Sequence, residues 1–384
     1  MLSTTYPDAE GRNARRELPA CAEAARLTTG GAYPPPMAER VGAALRGRNN
    51  ALNAVRLLLA GAVIVSHLFV TGGYGAEPRW GGYTLGGWAV MGFFGISGYL
   101  VTGSRLSNPL RSYLRRRCLR IYPGFWTCLV LTAFVLAPLS AVLDASHFAA
   151  TSAAGYVMFN ASLWMAQGDV DATLRHVPLP LVWNASAWTL AYEFLCYLVV
   201  GVGMSVARDP RWRRWSLWAG LALVTTLNLV AVHRGSSNGF LTLSLWLGAF
   251  FLAGGCVRME AHRLPVSAWL AAASMALLVV ASATGVVRAL APLPLTYIVL
   301  WLGATVRVRW GSRNDLSYGV YIYAFPVQQL LAAAGMQRMP WLYASSTFVL
   351  VSALAAASWW GVEKPSLALA HRGSARRTQA VMTT

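Results

Sequence analysis

Charge is what this chain has least of. Only 12% of its 384 residues are Asp, Glu, Lys or Arg, where a soluble domain carries about a quarter. That shortage excludes an ordinary water-soluble globule. Carboxylates are the scarcer sign, 14 against 32 Lys and Arg, for a net charge of +18. Cysteine is scarce too. Cys21, Cys118, Cys128, Cys196 and Cys256 are odd in number and show no metal-ligand spacing. They read as small apolar fillers, and no metal is expected. No apolar core follows the first charges at the distance a signal peptide needs. What is abundant is apolar: 56% hydrophobic residues, 16 Trp and 15 Tyr, with a mean hydropathy of +0.47. That many Trp and Tyr suits a protein with two membrane interfaces.

Residues 1–48 are polar, carry Pro34-Pro35-Pro36 and hold no apolar periodicity; a disordered cytoplasmic tail is expected. Apolar runs follow near 51–71, 84–103, 121–142, 188–206, 215–232, 239–257, 266–285, 289–306, 315–335 and 341–361. Each is near the length of about 20 residues that a bilayer requires. A weaker run, 148–166, contains Gly, Asn and Ser and reads as re-entrant or surface-lying. Arginines crowd alternate connections: Arg105, Arg111, Arg115, Arg116, Arg117 and Arg120, then Arg208, Arg211, Arg213 and Arg214, then Arg258 and Arg263, then Arg307, Arg309 and Arg313. Lys364, Arg372, Arg376 and Arg377 follow the last run. The intervening loops hold single arginines. This bias marks cytoplasmic membrane loops rather than a nucleic-acid face. The expected fold is an all-α polytopic membrane protein of about ten spans with both termini cytoplasmic. Its transmembrane domain covers 49–366, with a cytoplasmic tail at 367–384. The expected location is the bacterial inner (cytoplasmic) membrane.

The first run, Asn53 to Phe69, is interrupted by Arg56 and His67. Eleven helical steps return to within about 20° of the start, so both side chains share one face, about 16 Å apart along the axis. An ionisable residue inside a span faces the bundle or a water-filled cavity. The plainer alternative is an Arg56 that snorkels to the cytoplasmic surface and a satisfied interior His67. With this orientation Arg117 and Arg120 are level with Arg56, and Glu193, in the 188–206 run, is expected near the depth of His67.

Six motifs in order resemble acyltransferase family 3. They are the Arg56–His67 spacing; Phe93-Phe94-Gly95-Ile96-Ser97-Gly98-Tyr99-Leu100; and Arg117-Cys118-Leu119-Arg120-Ile121-Tyr122-Pro123. The others are Trp188-Thr189-Leu190-Ala191-Tyr192-Glu193-Phe194; Leu316-Ser317-Tyr318-Gly319-Val320-Tyr321; and Val362-Glu363-Lys364-Pro365. The resemblance covers 50 to about 366. Asn53 stands where the family usually has Asp, and Ala191 where part of it has Pro. The extra C-terminal hydrolase-like domain of some members is not expected here. The resemblance implies acyl transfer from cytoplasmic acyl-CoA, most often acetyl-CoA, to a hydroxyl of a carbohydrate or glycolipid acceptor.

His is the usual base for such a hydroxyl because its pKa lies near neutrality. His67 is the candidate, with Glu193 fixing its tautomer and steadying its cation; alternatively Glu193 only neutralises an arginine. Arg56, Arg117 and Arg120 are candidates for the CoA phosphates, which guanidinium binds bidentately. The plainer reading of the 115–120 cluster is topology and lipid headgroup contact. Ser97, Tyr122, Trp188 and Tyr318 are substrate-binding candidates at the motif centres. Ser97 as a nucleophile would need a strand-to-helix turn, which a membrane span does not offer; small residues for close helix packing fit better. A glycolipid or small-molecule transporter using Arg56, His67 and Glu193 as its pathway is the second reading. It is disfavoured because the halves show no paired repeats.

Overall fold

In a computed structural model of the chain, the described residues are 39–47, 50–235, 239–308 and 314–369. The expected tails at 1–38 and 370–384, and Arg309 and Arg313, lie outside them. Eleven helices carry the described architecture: α1 (Leu52–Gly72), α2 (Leu85–Leu106), α3 (Leu110–Leu143), α4 (Ala150–Asn160), α5 (Thr189–Val206), α6 (Pro210–His233), α7 (Phe240–Glu260), α8 (Ala268–Ala283), α9 (Pro292–Thr305), α10 (Ser317–Ala333) and α11 (Pro340–Leu369). Each expected run overlaps one of them; α4 falls on the weaker run. Seven (α1, α2, α3, α5, α6, α7 and α11) are long and apolar enough to cross a membrane. The remaining three expected spans are shorter, with 16 residues in α8, 14 in α9 and 17 in α10. The eleven residues of α4 rise only about 16 Å and cannot cross a bilayer.

Local chemistry sets the helix ends. Gly73 (φ +73°) closes α1 in the left-handed region that glycine tolerates. Thr84 caps α2 by accepting from the Gly87 N–H at 3.0 Å. Asp209 caps α6 ahead of Pro210. A two-stranded hairpin, β1 (Arg79–Trp80) and β2 (Tyr83–Thr84), joins α1 to α2. Its Gly81 and Gly82 have φ of +55° and +83°, as a tight two-residue hairpin turn requires.

The centre of the fold is the crossing of α2 and α7. A Cβ on Gly98 would lie 1.9 Å from the Phe251 carbonyl oxygen, and one on Gly254 would lie 2.1 Å from the Gly95 carbonyl oxygen. Backbone therefore meets backbone, the small-residue contact expected of the Gly95–Gly98 stretch. α10 lies between α1 and α11, buried along nearly its whole length. α11 contains a π-turn at Trp359–Glu363. Such an extra residue in the turn re-aims side chains, and here Glu363 is buried.

One segment differs from expectation. Residues 39–47, expected within a disordered tail, form a one-turn helix at Val41–Ala44. It is docked by the Val41 N–H on the Leu264 carbonyl and the Gly42 N–H on the Ala261 carbonyl. The stretch 161–188 folds into the protein rather than lying over it, and Leu163, Val170, Trp183 and Ala187 have no exposed surface. The Trp183 indole donates to Thr173 Oγ1 at 2.9 Å, and the Asn160 amide donates to the Gln167 carbonyl at 2.8 Å. α5 therefore starts inside the molecule. Asn160 and Asn184, each at the head of an Asn-x-Ser triplet, are both buried.

Candidate active site

Three layers of polar side chains follow one another through the bundle. The first stands where α1, α3, α10 and α11 converge. Arg56 of α1 and Arg120 of α3 both donate to Asp315 Oδ2, Arg120 at 2.5 Å. Arg120 also approaches Glu363 Oε2 at 3.5 Å and faces the Tyr318 and Trp359 rings at 5.4 and 5.8 Å. Ser317 donates to Asp315 Oδ1 at 2.6 Å. The Arg56 and Arg120 guanidinium groups beside the Asp315 carboxyl offset the cost of burying it. Two guanidinium groups thus meet two carboxylates, and this layer is close to neutral. Arg56 does not snorkel. Asp315 and Glu363 already hold Arg56 and Arg120 in place.

The second layer is a narrow pocket of about 40 Å³ lined by Arg56, Val90, Phe93, Glu193, Tyr318 and Tyr321, among others. Glu193 Oε1 accepts from Ser97 Oγ at 2.6 Å and from Tyr197 Oη at 2.7 Å. Arg117 lies over the Tyr197 ring at 5.7 Å and donates to Ser104 Oγ at 3.3 Å.

The third layer is a chamber of about 390 Å³ that contains His67, Glu77, Trp188 and Trp246. His67 Nδ1 is 3.7 Å from Glu77 Oε1, and its ring stands edge-on to Phe325 at 5.2 Å. The Ser66 hydroxyl donates to Glu77 Oε2 and accepts from the Gly86 N–H at 2.8 Å. The adjacent His67 imidazole, opposed by burial and aided by Ser66, holds the Glu77 carboxyl below the usual carboxylate range. Val90, Thr189 and Tyr321 line both this chamber and the narrow pocket. At that shared wall Thr189 Oγ1 and Tyr321 Oη are 2.7 Å apart.

His67 and Glu193 line adjoining but different cavities. α2 serves as a ruler: Gly86 bonds Ser66, next to His67, while Ser97 bonds Glu193. Those two α2 positions are eleven residues apart, about 16 Å along the axis. Glu193 belongs to the deeper layer because α5 begins inside the fold. The carboxylate beside His67 is Glu77, in the α1–α2 connection. Of the other candidates, Tyr318 donates to the Ile121 carbonyl at 2.7 Å while lining the narrow pocket. Trp188 lines the chamber and stacks edge-on to Tyr192 at 5.3 Å. Tyr122 turns away from both cavities, against Trp126 and Phe194 at 5.2 and 5.5 Å. Sequence reasoning missed Glu77, Asp315 and Glu363 as site residues. Their signal is the scarcity of acid: among 14 carboxylates, one beside a span boundary is informative.

The acyltransferase domain model of acyltransferase family 3 matches residues 49–360. The chain belongs to acyltransferase family 3, and it is an acyltransferase. It is similar to the O-acetyl transferase of Shigella phage Sf6, 28% identical over 333 residues, which is 83% of this chain and 96% of that protein. It is also similar to Nodulation protein 10 of Rhizobium leguminosarum bv. viciae, 28% identical over 324 residues, 74% of this chain and 83% of that protein. No solved structure matches the chain.

Proposed function

We propose that the protein moves an acyl group, in the simplest case acetyl, from acyl-CoA to a hydroxyl of a carbohydrate-containing acceptor, within the bacterial inner membrane. The observation that carries this reading is the pair of adjoining cavities. One holds His67 beside a carboxylate, and the other leads from it to the arginine layer. The similarity to an O-acetyl transferase supports acetyl. The donor approaches from the arginine side, where Arg56 and Arg120 are held in place by Asp315 and Glu363, and Arg117 by Ser104 and Tyr197. Its thioester arm passes Glu193, which lines that path, and reaches the shared wall at Val90, Thr189 and Tyr321.

In the chamber the acceptor hydroxyl meets His67. Glu77 faces Nδ1, which leaves Nε2 free to take the hydroxyl proton. The acceptor oxygen bonds to the acyl carbon, the C–S bond breaks, and the imidazolium returns its proton to the departing thiolate. Glu77, ionised at neutral pH, steadies the cation between these steps.

The test is acyl transfer and free-thiol release in membranes, normalised to inserted protein. His67→Gln keeps size but cannot act as the base, so transfer falls by about 10²–10⁴-fold. Full transfer by His67→Gln ends this mechanism. A transporter with the same residues along its pathway releases no thiol from acyl-CoA at all.

A further inference from the structure

The molecule has a further polar cavity, on the face opposite the arginine layer. It is a depression of about 580 Å³ lined by Gly81, Gly82, Tyr83, Ser282, Thr284 and Arg288, among others. Tyr83 stands between this depression and the His67 chamber, stacked on Trp246 with centroids 5.3 Å apart and planes 31° apart. Trp246 lines the chamber. From Tyr83 the row continues to Trp88 at 6.3 Å, edge-on, and on to Trp80 at 4.8 Å and 33°.

The row is held in place. The Trp88 indole donates to the Trp80 carbonyl at 2.9 Å. Arg288 Nε donates to Tyr83 Oη at 2.9 Å, and its guanidinium lies over the Trp246 ring at 5.6 Å. The hairpin turn is seated so closely on α8 that a Cβ on Gly81 would lie 2.5 Å from Ser282 Oγ. Aromatic residues at a membrane interface ordinarily face lipid or headgroups. Here Trp246 is only 8% exposed, whereas Trp80, at the outer end, is 43% exposed. Exposure thus falls along the row toward the base.

Building on the proposed function, we infer that Trp80, Trp88, Tyr83 and Trp246 form a stacking rail that binds the acceptor glycan and leads its hydroxyl to His67. A pyranose ring presents apolar C–H faces that stack on aromatic rings, with hydroxyls around its edge. Ser282, Thr284 and Tyr83 Oη supply hydroxyl partners along the depression. Arg288 acts through Tyr83 and Trp246 as a positioning residue. The donor and acceptor therefore enter from opposite faces and meet at the Thr189–Tyr321 wall.

The experiment uses the full chain in proteoliposomes, with acetyl-CoA as donor and surface glycan extracted from the producing cells as acceptor. Trp80→Ala and Trp88→Ala should each raise the acceptor KM at least about tenfold. They should leave kcat and the acetyl-CoA KM within about twofold. Thr284→Cys, on the rim of the depression, guards against a variant that fails to insert. Labelling it after insertion with a membrane-impermeant maleimide should block transfer to glycan while acetyl-CoA still binds with unchanged affinity. An unchanged acceptor KM in both Trp variants, or labelled Thr284→Cys with full transfer, overturns the rail and leaves an interfacial aromatic belt. If the rail variants are silent while His67→Gln is dead, only the rail falls. If His67→Gln is active while the rail variants raise the acceptor KM, only the base assignment falls.

Discussion

A carboxylate shared by two guanidinium groups makes each arginine costly to remove. Arg120→Ala leaves Asp315 and Glu363 short of a counter-charge in the interior, and losing one partner of a buried pair costs about 3–5 kcal/mol. Arg120→Ala is therefore expected to lose folded, inserted protein, seen as a drop in melting temperature in detergent. Among the described residues, Arg117 bonds Ser104 and lies over the Tyr197 ring. Arg117→Ala should insert normally and raise the acyl-CoA KM, while Arg115→Ala, whose exposed side chain donates to the Leu369 carbonyl, should change little. Equal behaviour of all three would reduce the cluster to a topology signal. Glu77 has a pH signature. Its folded pKa is lowered, so its contact with His67 contributes stability above the unfolded carboxylate value of about 4.3. That contribution is lost as pH falls through the lower folded value. The melting gap between wild type and Glu77→Gln should be constant near neutrality and close in acid. As catalytic groups acting as a unit, His67 and Glu77 should be non-additive, and the double variant should transfer little less than His67→Gln.

Helix crossings decide what the small residues of α2 do. Gly98 has no room for a methyl group, because the Phe251 carbonyl oxygen would lie 1.9 Å from it. Gly98→Ala must push α2 and α7 apart, and overpacking of this kind costs about 1–3 kcal/mol. The expected result is a lower inserted fraction and reduced transfer per cell, with no special loss of acyl-CoA affinity. Ser97, one residue earlier, points instead to Glu193. Ser97→Ala removes one hydrogen bond, worth about 1 kcal/mol, and should retain most transfer; a loss as large as that of His67→Gln would revive Ser97 as a nucleophile. The π-turn of α11 matters in the same way, because it delivers Glu363 to Arg120 at the end of a long apolar helix.

Across the whole molecule, the arginine-rich ends of the helices and the hairpin face opposite sides. Reporter fusions after Arg214 and after Arg263 should both signal cytoplasm, and one inserted in the Gly81-Gly82 turn should signal the far side. A far-side signal at Arg214 or Arg263 breaks the two-sided route by which donor and acceptor meet.

The amino-acid sequence by itself determined the class of this protein. Apolar runs near bilayer length must become helices, since lipid offers the backbone no other hydrogen-bond partners. Arg56 and His67 were legible as one helix face because helical periodicity is a local property. Their partners were not. Asp315 lies 259 residues from Arg56 and 195 from Arg120, and periodicity says nothing about which helices become neighbours. Hydropathy marks where a helix turns apolar, and only the buried 161–188 segment shows that α5 begins within the protein. Tertiary structure therefore decided which carboxylate faces His67, because that choice depends on how a short connection folds back over the end of α1.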